Sequence, residues 1–409
     1  MEFGLNKSTE IPPPIPSQRP NGNTEVSNGA PPPIPLSSRP NLAAIQASKP
    51  KPAALNSCLK CRDFSAVDAH ASKFPRQSIP STDIGWIATQ LTAPFPSLTD
   101  KARALFSWLH FNIDYNVQDF FNDNVQHSTP ENTIRTGLAV CEGYSRLFTA
   151  LADKVGLESV VISGDGKGFG HSPLQPGQPI PPFKSTHAWN AVRIDGGEWK
   201  LIDCCWGAGH VQGAGLPYVR KFAPECFTMD NNEFGLKHFP EDRKSFYRTD
   251  GRAAISWEEY VMNDVPERLQ VYSITVPEYG IGERTFQPVH KHIKVHDYSN
   301  GPTLRFQFAT VCPHWDHEKN GKGKPCIMVL HVGGKDGRKE DYLPFETDGR
   351  NWWLDAPREQ LGCPGQKVSV YSVKSFDGKS GRGLSLAEFK QKWGRVQGGF
   401  DGIAMWELV

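Results

Sequence analysis

Asp195-Gly196-Gly197 stands between two runs of strand-forming residues, 188–194 and 198–202. Consecutive glycines after an aspartate suit a tight hairpin, whose turn residues take positive φ. A turn centred on Gly196 fixes the register of both strands: Trp189 falls opposite Asp203, and His187 opposite Cys205. Side chains alternate faces along a strand, so His187 and Asp203 share one face as diagonal neighbours. Their backbones are then about 7–8 Å apart, close enough for an imidazole to meet a carboxylate.

Upstream, Cys141 opens Cys-Glu-Gly-Tyr-Ser-Arg-Leu-Phe, and Tyr144, Leu147, Phe148, Leu151 and Val155 recur at helical spacing before Gly156. A glycine just past the last periodic residue is a common helix stop, so the cysteine lies in the first turn of a buried helix. The unpaired amides and positive dipole end there favour a thiolate, with Glu142 opposing slightly. Cys141, His187 and Asp203 thus supply a nucleophile, a general base and an acid that orients the base. Taken singly, a cysteine is often a small core residue and a strand histidine is often structural. The conjunction of all three selects thiol acyl transfer.

These stretches resemble the transglutaminase-like superfamily, in the branch containing the kyphoscoliosis peptidase and fungal cytokinesis proteins. The matching segments are Asp63-Phe-Ser-Ala-Val-Asp68, Thr99 to Trp108 with Asn112-Ile-Asp-Tyr115, Val140 to Phe148, His187-Ala-Trp-Asn190 and Trp199-Lys-Leu-Ile-Asp203. The resemblance covers about half of the chain and implies a papain-like α+β core, with the nucleophile helix on an antiparallel sheet and the same three catalytic residues. Helices early and strands later agree with that class. The overall architecture is similar to that of fungal arginine-containing cyclodipeptide synthases. That likeness implies aminoacyl groups drawn from charged tRNAs, joined through a Cys141 thioester into a diketopiperazine. Arginine selection would need an acidic contact. Glu142, Asp165 and Asp195 are candidates for it, and Trp189 joins Glu142 and Asp165 as a candidate substrate-binding residue. The competing readings are a cysteine peptidase or protein-crosslinking enzyme, and a scaffold without catalysis. No cofactor is implied.

The chain of 409 residues, 38% hydrophobic, can bury a large core. A net charge of +1 gives no overall basic surface for nucleic acid. There is no apolar run long enough to span a membrane and no hydrophobic leader. Nine cysteines, two of them adjacent, suit a reducing cytoplasm. Residues 1–55 read as a disordered proline-rich tail, 56–264 as the catalytic domain and 265–409 as a β-rich, sandwich-like domain. In the tail, Pro12-Pro-Pro-Ile-Pro-Ser-Gln-Arg-Pro20 is nearly repeated at Pro31 to Pro40. Extended Pro-x-x-P segments dock on SH3 domains, which makes Pro13, Pro16, Arg19, Pro32, Pro35 and Arg39 candidate partner contacts.

Two helices are expected over 82–113, the second capped by Thr99, and a short one from Pro130 to Arg135. Gly164 to Gly170 lacks the ending of a nucleotide-binding loop and reads as a mobile cleft rim. Cys58-Leu-Lys-Cys61 has no second Cys-x-x-Cys, and His70 stands alone, so the pair reads as local packing, with no metal expected. Beyond 265, strand-like runs at 269–276, 304–308, 326–332, 352–354, 368–373 and 404–408 have the cadence of a sandwich.

Overall fold

The computed structural model describes residues 58–175, 177–263 and 268–409. The two proline-rich repeats, with Pro13, Pro16, Arg19, Pro32, Pro35 and Arg39, lie outside the described residues. The first layer is helical: α1 (Ser65–Ala71), α2 (Ile84–Thr92), α3 (Leu98–Asn112) and α4 (Cys141–Lys154). α3 is buried almost all round, which requires its polar residues to be paired. Arg103, 2% exposed, sends Nε and Nη2 to the two oxygens of Asp68 on α1 at 2.8 and 2.9 Å. The rings of Phe64, Phe222 and Phe227 surround its guanidinium. The cap of α3 is Ser97, whose Oγ accepts from the amide of Asp100, and Thr99 is instead buried in the first turn.

α4 runs out as its apolar spacing implies. The Gly156 amide donates to the Asp153 carbonyl and the Leu157 amide to that of Ala152, with Gly156 at φ 70°, a left-handed conformation that closes the helix. The chain then builds β1 (Ser159–Gly166), β2 (His187–Arg193), β3 (Trp199–Ile202) and β4 (His238–Pro240). They form one antiparallel sheet in the order β3-β2-β1-β4. Asn190 pairs with Ile202 and Arg193 with Trp199, the register of a turn centred on Gly196. Asp195 in that turn accepts from the amide of Leu98 at 2.8 Å, which ties the hairpin to the start of α3.

One face of the sheet joins the helical core through Val192 and Ile202, and the other packs Ile162, Trp189, Ala191 and Leu201 on Phe234. Asn190 pins α4 to β2: its Nδ2 donates to the carbonyl of Ser145 at 2.9 Å and to Thr149 Oγ1 at 3.0 Å. These bonds hold the helix that carries Cys141 against the strand that carries His187.

The C-terminal region has its own apolar core between two sheets. β5 (Thr303–Ala309) pairs with β8 (Asn351–Pro357) in a three-stranded sheet. β6 (Met328–Val332), β7 (Asp341–Pro344), β9 (Lys367–Phe376) and β10 (Gly398–Leu408) are four neighbouring strands of a seven-stranded sheet. Phe306 of β5 meets Trp406 of β10 edge-on at 5.1 Å, so the sheets pack face to face. The expected strand at 269–276 is cut to Gln270–Val271, because Thr275–Tyr279 turns helical and is stopped by Gly280 at φ 58°. No helix among the described residues is long and apolar enough to cross a membrane.

Candidate active site

His187 opens β2, and Asp203 follows β3 as the N-cap of the short helix Cys204–Ala208. Cap formation points one carboxylate oxygen, Oδ1, at the amides of Cys205 and Trp206, both at 2.9 Å. The other oxygen, Oδ2, is left for side chains and meets His187 Nε2 at 2.7 Å. Cys141, half-buried at the first residue of α4, lies close enough to the same imidazole to raise it. The three residues expected from the sequence therefore meet in one place, in the order cysteine, histidine, aspartate.

Asp203 has no exposed surface, yet it is kept well below the usual carboxylate range. Burial opposes its charge, and the two histidines and their hydrogen bonds outweigh that cost. For His187, burial likewise opposes the charge, but Asp203 and then Cys141 raise the ring from 6.5 to about 10. The site is thus built to hold an imidazolium.

A second histidine, which the sequence reading did not anticipate, completes the carboxylate's partners. His238 Nε2 lies 3.0 Å from the same Asp203 oxygen, and its Nδ1 faces the Phe234 carbonyl at 3.1 Å. Burial, followed by the charge on His187, lowers His238 in spite of its bond to Asp203. Of the two rings on this carboxylate, only His187 is raised above the ordinary histidine value. His238 is placed by strand β4, some 35 residues beyond Asp203. No spacing pattern or motif flags it, and only the pairing of β4 with β1 brings it in.

Trp206 stacks on His187 at 4.6 Å and 19° between planes, and it also covers His238 at 4.5 Å. Two glycines make room for this arrangement. A Cβ on Gly166 would come within 2.9 Å of the His187 Cβ, and one on Gly168 within 2.6 Å of the Trp206 ring. The glycine-rich stretch expected to be a mobile rim is therefore, through Gly166, part of β1. Its glycines serve close packing against the site. Tyr115 sits nearby, and burial pushes its phenol upward. Cys204 and Cys205 are buried and raised well above the ordinary thiol range, which leaves them protonated.

The candidate substrate residues divide. Trp189 is 1% exposed and packs between Phe234 and His238, so it is a core residue and cannot touch a substrate. Asp165 is held by Thr186 Oγ1 at 3.1 Å and by the Tyr260 hydroxyl at 3.2 Å. Asp195 is committed to the α3 terminus, eight residues along the chain from His187, roughly 25 Å at strand spacing. Glu142 is exposed beside Cys141 and pairs with Arg146 at 2.7 Å.

Residues 86–204, which carry the whole Cys-His-Asp set, match the model of the Transglutaminase-like superfamily. The core is transglutaminase-like. The chain is 29% identical over 185 residues to the mouse kyphoscoliosis peptidase, a match covering 45% of this chain and 27% of that protein. It is 32% identical over 192 residues to the Lim and transglutaminase domain protein ltd-1 of Caenorhabditis elegans, covering 44% and 25%. The chain thus spans about a quarter of the length of these curated relatives. The crystal structure of red sea bream transglutaminase overlaps 75% of this chain and 55% of its own at 9% identity, with a TM-score of 0.26. An overlap that weak carries no functional argument.

Proposed function

We propose that the chain is a thiol-dependent acyl-transfer enzyme that acts on peptide or protein amides, as a cysteine peptidase or a crosslinking enzyme. The observation that carries this reading is the His187 ring, set beside Cys141 and hydrogen-bonded at 2.7 Å to a fully buried Asp203. In this mechanism the Cys141 sulfur attacks the substrate carbonyl, and the first-turn amides of α4, which have no side-chain cap, face the developing oxyanion. His187 hands its proton to the departing amine, the C–N bond breaks, and a Cys141 thioester remains. Water or a second amine then attacks the thioester, with His187 taking the proton and returning it to the sulfur. Asp203 holds the ring in the orientation that both transfers need. A relative named as a peptidase supports the amide substrate.

A narrower second reading keeps the same thioester but loads it from an aminoacyl-tRNA carrying arginine, and closes a diketopiperazine. Glu142 favours it, being an exposed acid in the first turn beside the nucleophile. In either reading the proline-rich tail would recruit an SH3-domain partner through Pro13, Pro16 and Arg19 or Pro32, Pro35 and Arg39. The nine free thiols suit a cytoplasmic setting. The test compares wild type with Cys141→Ala, by peptide mass spectrometry on an unfolded protein substrate and by metabolite profiling of the expressing host. Thiol-dependent cleavage or crosslinks support the amide reading, and an arginine-containing diketopiperazine supports the tRNA reading. Products that persist in Cys141→Ala would remove the cysteine from the mechanism.

A further inference from the structure

The Cys58-Leu-Lys-Cys61 pair, isolated in sequence, is not isolated in space. Cys312 and His314, from the segment just after β5, come to it, and the four ligand atoms all lie within 4.8 Å of one another. His70, the histidine nearest in sequence, is spent elsewhere, with its Nε2 against the Gln90 carbonyl at 3.0 Å. We propose that Cys58, Cys61, Cys312 and His314 form a structural zinc site joining the start of the catalytic core to the β-rich region.

The distances fit a metal better than a disulfide. Cys58 Sγ and Cys61 Sγ are 3.8 Å apart. A tetrahedral ion with metal–sulfur bonds of about 2.3 Å places two of its sulfurs about 3.8 Å apart, whereas a disulfide needs about 2.05 Å. Three thiolates and one imidazole are a common ligand set for structural zinc and fill all four positions, leaving none for a substrate or water.

Both ligand-bearing turns are already held in shape. In the first, the amides of Cys61 and Arg62 donate to the Cys58 carbonyl at 3.2 and 3.0 Å, and the Cys58 amide points at Cys61 Sγ at 3.4 Å. In the second, the Cys312 carbonyl accepts from Thr310 Oγ1 at 2.9 Å and from the Trp315 amide at 3.2 Å. His317, just beyond, is buried with its Nε2 against the Tyr279 carbonyl at 3.0 Å. Ion pairs from both regions converge close by: Lys60 and Arg284 reach Glu233 at 2.6 and 3.4 Å. A metal here closes a loop of about 250 residues, the kind of long-range clip that most restricts an unfolded chain.

Zinc content of the full chain, purified without chelators or a metal-affinity step, tests the proposal. The expected result is one zinc per chain by plasma mass spectrometry, retained in Cys141→Ala and lost in Cys312→Ser with His314→Ala. Loss of ligands can unfold the chain, so a second measurement uses the wild type alone. Cobalt substituted for zinc should give intense thiolate-to-cobalt charge-transfer absorption and the strong visible bands of a tetrahedral ion. The proposal is overturned by metal-free wild type, by zinc content unchanged in the double substitution, by a weak octahedral cobalt spectrum, or by a Cys58–Cys61 disulfide in freshly purified protein.

Discussion

Asp203→Asn separates the two tasks of this carboxylate. Its Oδ1 accepts the amides of Cys205 and Trp206, and an asparagine can keep both bonds only by placing its carbonyl oxygen there. The amide nitrogen then falls where Oδ2 was, facing His187 Nε2 at 2.7 Å. An N–H now points at a ring nitrogen that was itself donating. The stable arrangement puts the ring proton on Nδ1, the nitrogen left for Cys141, so the ring can no longer accept the thiol proton. The charge that raised His187 to about 10 is removed at the same time, while burial continues to oppose the imidazolium. With the ring at or below its ordinary 6.5, about 3% or less is charged at pH 8, against about 99% in the wild type. Activity should fall by about 10³–10⁴-fold, the scale of loss when a triad base is held in the wrong tautomer. The helix cap survives, but stability should fall most at pH 5–6, where the charged ring loses its partner. Ring-¹⁵N NMR of labelled histidine from pH 5 to 9 reads the charge state and the tautomer directly. A His187 signal that titrates identically in both proteins, or activity within tenfold of wild type, would refute the argument.

Further expectations concern the frame around the site. Because His187 is raised in the folded state, its contribution to stability is complete below pH 6.5 and fades as pH climbs toward about 10. The gap in unfolding free energy between wild type and His187→Gln should therefore be widest at pH 5–6 and shrink by pH 9 in urea titrations. Asn190→Leu removes the bonds from β2 to Ser145 and Thr149 and should cost about 1–3 kcal/mol by the same method. Arg103→Met leaves the partly exposed Asp68 without its bidentate partner and should cost about 2–4 kcal/mol, with Asp68→Leu in the same chain recovering part. Gly168→Ala pushes the Trp206 ring off His187 and should reduce turnover more than stability, measured as activity against melting temperature.

The meeting of Cys141, His187 and Asp203 was readable in the sequence because each member stands on a local rule: a helix start for Cys141, a hairpin register for His187, and the strand partner of that hairpin for Asp203. Residues placed by long-range pairing were not readable. His238 arrives through β4 joining the far side of β1, and Cys312 and His314 reach Cys58 and Cys61 across most of the chain. Trp189 shares a strand face with His187, but the Phe234 and His238 rings cover it, and that packing is set by segments distant in sequence. The glycines from 164 to 168 look like a flexible loop in sequence. In the fold they mark close contact with Phe239, His187 and Trp206.

If Cys141 is the nucleophile of this site, it should outcompete the chain's other thiols for an alkylating agent. All nine cysteines are free, and Cys58, Cys61 and Cys363 are, like Cys141, only partly buried. Limiting iodoacetamide at pH 6, followed by peptide mass spectrometry, should label Cys141 first, and that preference should disappear in Asp203→Asn. Faster labelling of Cys363 or of the Cys58–Cys61 pair, or a Cys141 rate unchanged by Asp203→Asn, would contradict the account.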